Sequence, residues 1–358
     1  MPEAHAEERL RPPLTLVLGP AGAGKTEWVL ARFLNCDGRA LLVVSSPDQA
    51  ETRAAQIAAR SGQSDKEVRG QIFSFHSLVA EIGKAAPDDG SRTIGRAFQR
   101  LILAELLPRT LRADDFLGRM LEAPGFVGAL AERIREWKLA LITPDALEQG
   151  ATAASELLDD PHFPVKAREL ARLFRAYQTF LTQNRLHDEE DRLCRAAARV
   201  AENAAPLPYH ADQLLVDGFY RFNRAQRALL AAIAGRGVAL GKPEVAVAVT
   251  LPYDPARPLL FAAPERTLHH LRAEFATHEE TLPPRLDIRP PVLSRLESGL
   301  FGGDPTSCSP SPPAPLPSRE RGAKHTFMRP TQAGVESKDL DLSPLSLEGR
   351  GAGGEGKP

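Results

Sequence analysis

Residues 19–26 read GPAGAGKT, and this stretch carries the clearest chemistry in the sequence. Its spacing matches the pattern G-x-x-x-x-G-K-[ST], which is typical of loops that bind nucleoside triphosphates. The glycines let the backbone curl around a phosphate, the lysine reaches the β- and γ-phosphates, and the hydroxyl is a ligand of Mg²⁺. The alternative is a tight glycine-rich turn with an exposed lysine. The predicted ATP-binding residues are Gly19, Ala21, Gly22, Ala23, Gly24, Lys25 and Thr26.

A carboxylate at the end of a second strand would complete such a site. The stretch LLVDG places Asp217 after three apolar residues, where it could hold Mg²⁺ through water. We therefore predict that Thr26 and Asp217 bind magnesium, although an Asp-Gly turn that only closes a strand has the same sequence. ATP-driven motors usually place a glutamate next, as the base for the attacking water. Gly218 stands there instead, so we predict no catalytic residue and little or no ATP hydrolysis.

Short apolar runs that end in turn residues must position these groups. Residues 14–18 and 40–46 read as buried strands. A helix follows each of them, the first from near Lys25 and the second over 47–60. Residues 71–83 look like a third strand that runs into a helix. Strands that alternate with helices predict a parallel sheet with right-handed crossovers.

The middle of the chain has a different pattern. From about residue 92 to residue 202, apolar side chains recur at helical spacing, which predicts helices that share a core. The acidic run 188–191 fits the start of a helix better than a metal site. Strand character returns at 212–220 and 244–254, so we predict an α/β protein whose parallel sheet is split by a helical insertion.

Composition restricts the function classes. The formal net charge is −1, so the chain as a whole lacks the excess of positive charge that would indicate a nucleic-acid partner. Cys36, Cys194 and Cys308 are far apart and too few for a four-cysteine iron–sulfur site. The N-terminus lacks the apolar segment of a signal peptide, and no apolar run is long enough to span a bilayer. We expect a cytoplasmic protein without a membrane partner.

Four stretches, in order along the chain, resemble the N-terminal half of superfamily-1 DNA helicases of the UvrD and RecB type. GPAGAGKT resembles their Walker A motif, and LLVVSSPDQAETRAAQIAAR resembles a strand and helix that contact single-stranded DNA in those motors. IFSFHSL resembles a T-x-H-S-F-like motif. LHDEEDRLCRAA followed by QLLVDGFYRFNRAQRALLAAI resembles I-D-F-x-D-L-L followed by an L-V-D-E-x-Q-D box. The ordered set implies a P-loop (RecA-like) fold.

Within that superfamily the chain most resembles the AddB component of AddAB-type helicase–nucleases, also called RexB, over roughly residues 12–302. The family pattern V-D-G-F-x-x-F-x-x-x-Q is matched by Val216, Asp217, Gly218, Phe219, Phe222 and Gln226. The resemblance implies an accessory subunit of a complex that processes double-strand DNA ends for recombinational repair. It also implies ATP and Mg²⁺ as cofactors, and DNA and a catalytic subunit of the AddA type as partners.

Candidate DNA contacts lie at strand ends within the matching stretches. Ser45 and Ser46 end a strand where parallel sheets place their ligands. His76 and Ser77 follow the next predicted strand. For His76, a capping or core role is an open alternative.

Several family features are missing from the sequence. It has no G-D-x-x-Q box after the insertion, no second motor domain with its arginine motifs, and no C-terminal nuclease carboxylates. We therefore expect a truncated member without nuclease activity. The alternatives are a scaffold that docks a helicase partner with the loop as a relic, and a small-molecule kinase. The long helical insertion and the absence of an arginine-rich lid argue against the kinase.

These patterns divide the chain into four segments. Residues 1–90 form the first part of the P-loop domain, 91–203 the helical insertion, and 204–302 the second part of the P-loop domain. Residues 303–358 are rich in Pro, Gly, Ser and charge, and we predict that they are disordered. Two stretches of this tail could be encoded by the two arms of an inverted DNA repeat, which suggests a translated repeat element.

Overall fold

The structure is a computed structural model of the 358-residue chain. It describes residues 11–285 apart from 37–38, 63, 86–89, 156–159, 161, 204 and 239–243. Among these residues, no helix combines the length and the apolar character that crossing a membrane requires. The predictions for the tail, residues 303–358, lie outside the described residues, and the predicted domain boundaries remain predictions.

Strands of the described region form two parallel sheets. They are β1 Pro13–Gly19, β2 Ala40–Val44, β3 Ile72–Phe73, β4 Arg92–Thr93, β5 Leu186–His187, β6 Gln213–Asp217, β7 Ala246–Pro252 and β8 Ala276–Thr281. The larger sheet has the order β3-β2-β6-β7-β1-β8, and all its neighbouring strands are parallel. Strands β4 and β5 form the second, two-stranded sheet.

Helices connect these strands and also fill the interval between β3 and β6. They are α1 Lys25–Leu34, α2 Pro47–Ser61, α3 Asp65–Arg69, α4 Phe75–Ala85, α5 Arg96–Thr110, α6 Phe126–Leu139, α7 Pro144–Ser155, α8 Phe163–Gln183, α9 Glu189–Ala201, α10 Arg224–Ala234 and α11 Ala262–Glu274. The α/β class with a parallel sheet is confirmed, and helices α5 to α9 follow one another where the sequence indicates an insertion.

The sheet interior explains why most strands were visible in the sequence. Every residue of β2 and β6 is buried, as expected for strands covered by helices on both faces. Strand β8 was not identified, because its sequence ATHEET is polar and largely exposed. It is an edge strand that pairs with β1, and edge strands commonly carry charged side chains.

The described residues form three apolar cores. One lies on one face of the large sheet and includes Leu193, Ala196 and Val200 of α9. A second packs α1 and α2 against the alternate residues of the same strands. The third lies among α5, α6 and α8, and the predicted stripe residues Trp137 and Phe174 pack in it with ring centroids 5.6 Å apart. Helix α9 therefore joins the helical insertion to the sheet.

A buried charge cluster holds the beginning of α9. The Lys138 ammonium of α6 donates to Asp188 Oδ2 at 2.6 Å and to Asp191 Oδ2 at 2.8 Å. The Tyr177 hydroxyl of α8 also donates to Asp188, at 3.1 Å. Asp188 and Asp191 form a reciprocal capping box, which confirms the helix-start interpretation of the acidic run. Burial raises the pKa of the Asp191 carboxyl, and the Lys138 charge opposes that shift.

We predict that Lys138→Met lowers the free energy of unfolding by about 3–5 kcal/mol, because it leaves buried carboxylates without their cation. Urea denaturation followed by circular dichroism measures this change. Lys166→Met is the matched control on exposed α8 surface and should stay within about 0.5 kcal/mol of wild type. Adding Asp188→Asn and Asp191→Asn to Lys138→Met should recover part of the loss. An unchanged stability for Lys138→Met would contradict the cluster's role.

Candidate functional site

The parallel sheet brings the predicted site residues to one edge. Strand β1 ends at Gly19, β6 ends at Asp217, and Val44 of β2 is the register partner of Asp217. Strand β7 lies between β1 and β6 and carries Thr250 in register with Val17. The loop 20–24 and the carboxylate therefore belong to strands separated by one neighbour. Binding crevices of open parallel sheets lie at this carboxyl edge.

The loop requires glycine at three positions. Gly22 and Gly24 have φ values of 75° and 92°, in the left-handed region that side chains rarely adopt. Gly19 is constrained by packing, because a Cβ there would lie 2.8 Å from the Leu282 carbonyl oxygen and 2.9 Å from Ala23 Cβ. The motif spacing is thus matched by a backbone that curls as a phosphate loop would.

The start of α1 adds positive character to the loop. No side chain caps this helix at Gly24, and the N-terminus of a helix carries partial positive charge that favours an anion. The Lys25 ammonium folds back over the loop and donates to the Gly19 and Pro20 carbonyl oxygens, each at 2.7 Å. A phosphate in the loop would offer the same ammonium stronger, charge-assisted bonds.

Asp217 is the buried centre of the site, with 3 % of its surface exposed. Its Oδ2 accepts from the Thr26 hydroxyl at 3.1 Å, which brings the two predicted magnesium residues together. Its Oδ1 accepts from the Thr250 hydroxyl at 2.7 Å. Sequence reasoning missed Thr250, although a lone hydroxyl in the apolar run AVAVTLP was a usable signal.

Arg53 of α2 was also missed. Its Nη2 donates to Thr26 Oγ1 at 3.2 Å and to Asp217 Oδ2 at 3.3 Å, and its Nη1 donates to Gln56 Oε1 at 3.1 Å. In the sequence it is one of two arginines on an amphipathic helix. Nothing in that spacing shows that its guanidinium reaches the end of β6.

The donor chemistry fits ATP and, in part, Mg²⁺. The curled loop, the uncapped helix and Lys25 suit a triphosphate. Thr26 and Asp217 supply the hard oxygen atoms that Mg²⁺ prefers, and Mg²⁺ at nucleotide sites is held mainly by phosphates and water. Within the described ranges, no group of three or more His, Cys, Asp or Glu residues is placed to hold a metal by itself.

Gly218 differs from the glutamate of a hydrolytic site in its backbone conformation as well as in lacking a side chain. Its φ of 83° is left-handed, and a Cβ there would lie 2.5 Å from Gln49 Oε1. A glutamate at this position would need a different backbone and a displaced Gln49.

The candidate DNA contacts lie at the same edge, and three of them make local bonds. Ser46 caps α2 by accepting from the Gln49 amide at 3.3 Å, and the Ser45 hydroxyl donates to Gln49 Oε1 at 3.0 Å. The Ser77 hydroxyl accepts from the Ser74 amide at 2.8 Å. His76 is exposed in the first turn of α4. Their role in DNA binding stays a prediction.

Comparison with known proteins gives one family over most of the chain. The family model "ADDB, N-terminal" matches residues 16–287. Three relatives are each described as the B subunit of an ATP-dependent helicase/deoxyribonuclease. The protein of Desulforudis audaxviator is 29% identical over 62% of this chain and 19% of its own length. Those of Natranaerobius thermophilus and Moorella thermoacetica are 26% and 29% identical over 66% and 72% of this chain, and 19% and 23% of their own lengths. The chain spans about a fifth of the length of these relatives.

We predict that Gly218→Ala lowers the free energy of unfolding by about 1–2 kcal/mol, because alanine is strained in the left-handed region. Thermal and urea denaturation measure the change. Gly83→Ala is the matched control, since Gly83 is an exposed position of helix α4 with open space around it, and it should be neutral or stabilising by up to about 1 kcal/mol. Equal effects for the two substitutions would show that residue 218 has no special backbone requirement.

Proposed function

The chain belongs to the AddB N-terminal family, and we propose that it is the ATP-binding part of the AddB component of an ATP-dependent helicase/deoxyribonuclease. The observation that carries the ATP-binding proposal is the loop 19–26 beside Asp217. The motif spacing, the left-handed glycines and the Thr26–Asp217 bond of 3.1 Å support one phosphate site.

In this proposal each group at the edge has a defined task. The loop amides and the N-terminus of α1 hold the phosphates, and the Lys25 ammonium leaves the Gly19 and Pro20 carbonyls to contact them. The Thr26 hydroxyl and Asp217 face the metal position. A cation at that position would neutralise phosphate charge. Asp217 accepts from the Thr26 and Thr250 hydroxyls beside that position.

Hydrolysis is weak or absent in this proposal. The attacking water needs a base, and Gly218 carries no side chain at the position that a motor enzyme uses. The left-handed backbone at Gly218 supports the same conclusion. We propose no nuclease role for this chain.

The relatives' name supports a DNA-acting complex with at least one other subunit. We propose that the chain works beside a catalytic helicase–nuclease subunit of the AddA type, at DNA ends during double-strand-break repair. The edge that holds Ser45, Ser46, His76 and Ser77 is the proposed DNA-facing surface. The chain is expected to act in the cytoplasm.

We predict that Lys25→Ala weakens binding of a fluorescent ATP analogue at least about tenfold, since a charge-assisted bond to phosphate contributes about 1.5–3 kcal/mol. Equilibrium fluorescence titration with Mg²⁺ measures the dissociation constant. Lys84→Ala is the matched control, because Lys84 is exposed and pairs with Glu81 on the same helix. It should bind as wild type does.

Equal nucleotide affinity for wild type and Lys25→Ala would favour the scaffold alternative, in which the loop is a relic. Gly218 is the observation that favours this second candidate. Co-purification of the partner subunit, unaffected by nucleotide and by Lys25→Ala, would be expected from a scaffold. A fast ATPase that Asp217→Ala abolishes would contradict weak hydrolysis.

We predict that His76→Ala weakens binding of a fluorescein-labelled single strand about fivefold, because an exposed ring that stacks on a base contributes about 1 kcal/mol or more. Fluorescence anisotropy at fixed salt measures it. His270→Ala, at an exposed position on α11, is the control. If both variants bind as wild type does, His76 is not a DNA contact.

A further inference from the structure

The Arg53 guanidinium stands between the two side chains that were predicted to hold magnesium. Its Nη2 lies 3.2 Å from Thr26 Oγ1 and 3.3 Å from Asp217 Oδ2, while those two oxygens are 3.1 Å apart. One nitrogen thus contacts both oxygen atoms of the metal position. The positively charged guanidinium of Arg53 therefore occupies the position that was predicted for Mg²⁺.

Neighbouring contacts hold Arg53 in this position. Its Nη1 donates to Gln56 Oε1 at 3.1 Å on the same helix. Ser46 caps the start of helix α2 by accepting from the Gln49 amide. The Arg53 side chain is only 17 % exposed. Withdrawing the guanidinium would break its bonds to Thr26, Asp217 and Gln56.

The contacts around Asp217 leave little room for a second cation. Asp217 accepts from Thr26, Thr250 and Arg53, and its carboxylate is the only acidic group that these contacts bring to the position among the described residues. An Mg²⁺ ion held by Thr26 Oγ1 and Asp217 Oδ2 would need the space that Arg53 Nη2 already occupies beside both atoms.

The Nε atom of Arg53 gives a second, independent observation. It is buried, and no acceptor contacts it among the described residues. A guanidinium has five donors in a rigid fork that suits phosphate oxygens. Arg53 therefore keeps one buried donor that its bonds to Thr26, Asp217 and Gln56 do not use.

We propose that Arg53 takes the place of Mg²⁺, so that this chain binds nucleoside triphosphate without a divalent cation. The inference rests on the proposed ATP-binding function and adds the residue that makes such binding metal-independent. Arg53 neutralises charge near Thr26 and Asp217, as the metal does elsewhere. It supplies no water ligands, so it supports binding and not hydrolysis.

The test is a titration of the full chain with a fluorescent ATP analogue, once with excess Mg²⁺ and once with EDTA. Wild type should bind with affinities that agree within about threefold, because the cation is built in. Arg53→Gln should lose at least about tenfold in EDTA and regain most of it in Mg²⁺, since a charge-assisted contact is lost and the metal can now enter. Arg60→Gln is the matched control, because Arg60 is on the same helix and pairs with Glu27 away from Asp217. It should behave as wild type does.

The outcomes separate this inference from the function beneath it. If wild type binds in a Lys25-dependent way but loses tenfold or more in EDTA, the Arg53 proposal fails and ATP binding stands. If wild type binds in neither condition, the ATP-binding function fails as well. The wild-type comparison needs no variant, so it tests metal independence even if Arg53→Gln does not fold. An Arg53→Gln variant that folds and binds in EDTA as wild type does would contradict the role of Arg53. Circular dichroism of each variant checks folding.

Discussion

The buried carboxylate of Asp217 is the constraint around which the sheet edge is organised. An ionised carboxylate that is taken out of water costs several kcal/mol unless charge and hydrogen bonds compensate it. Here the compensation comes from three different elements: Thr26 of α1, Arg53 of α2 and Thr250 of β7. Satisfying one charge therefore fixes the position of the loop, of helix α2 and of the neighbouring strand.

The sequence predicted the parts of the fold that depend on local pattern. Strand β2 is apolar throughout and β6 has an apolar centre, because helices cover both faces of the sheet, so both strands could be predicted from their sequences. The loop could also be predicted from the sequence, because its backbone requires glycine at Gly22 and Gly24. Strand β8 has no such signal, since its pairing with β1 uses main-chain groups and its side chains face water.

The site residues that were missed depend on tertiary contacts. Thr250 and Arg53 are separated from Asp217 by 33 and 164 positions, and each reaches it only because of strand order and helix packing. The same holds for Lys138, which looks like an ordinary helical lysine and is only 3 % exposed. Residue spacing identifies a motif whose members are close in sequence. It does not identify partners that come from separate elements.

On the proposed function, Gly218 and Arg53 would each limit hydrolysis in a different way. Gly218 has no side chain to act as a base and a backbone in which a glutamate would be strained, and Arg53 would place a fixed cation where an exchangeable one is needed. On the proposed function, ATP would then act as a bound ligand that joins α1, α2 and β6. A ligand present at a hundred times its dissociation constant stabilises the state that binds it by about 2.7 kcal/mol. The bound nucleotide would lie at the same sheet edge as the proposed DNA contacts. It would therefore make that surface more rigid without being hydrolysed.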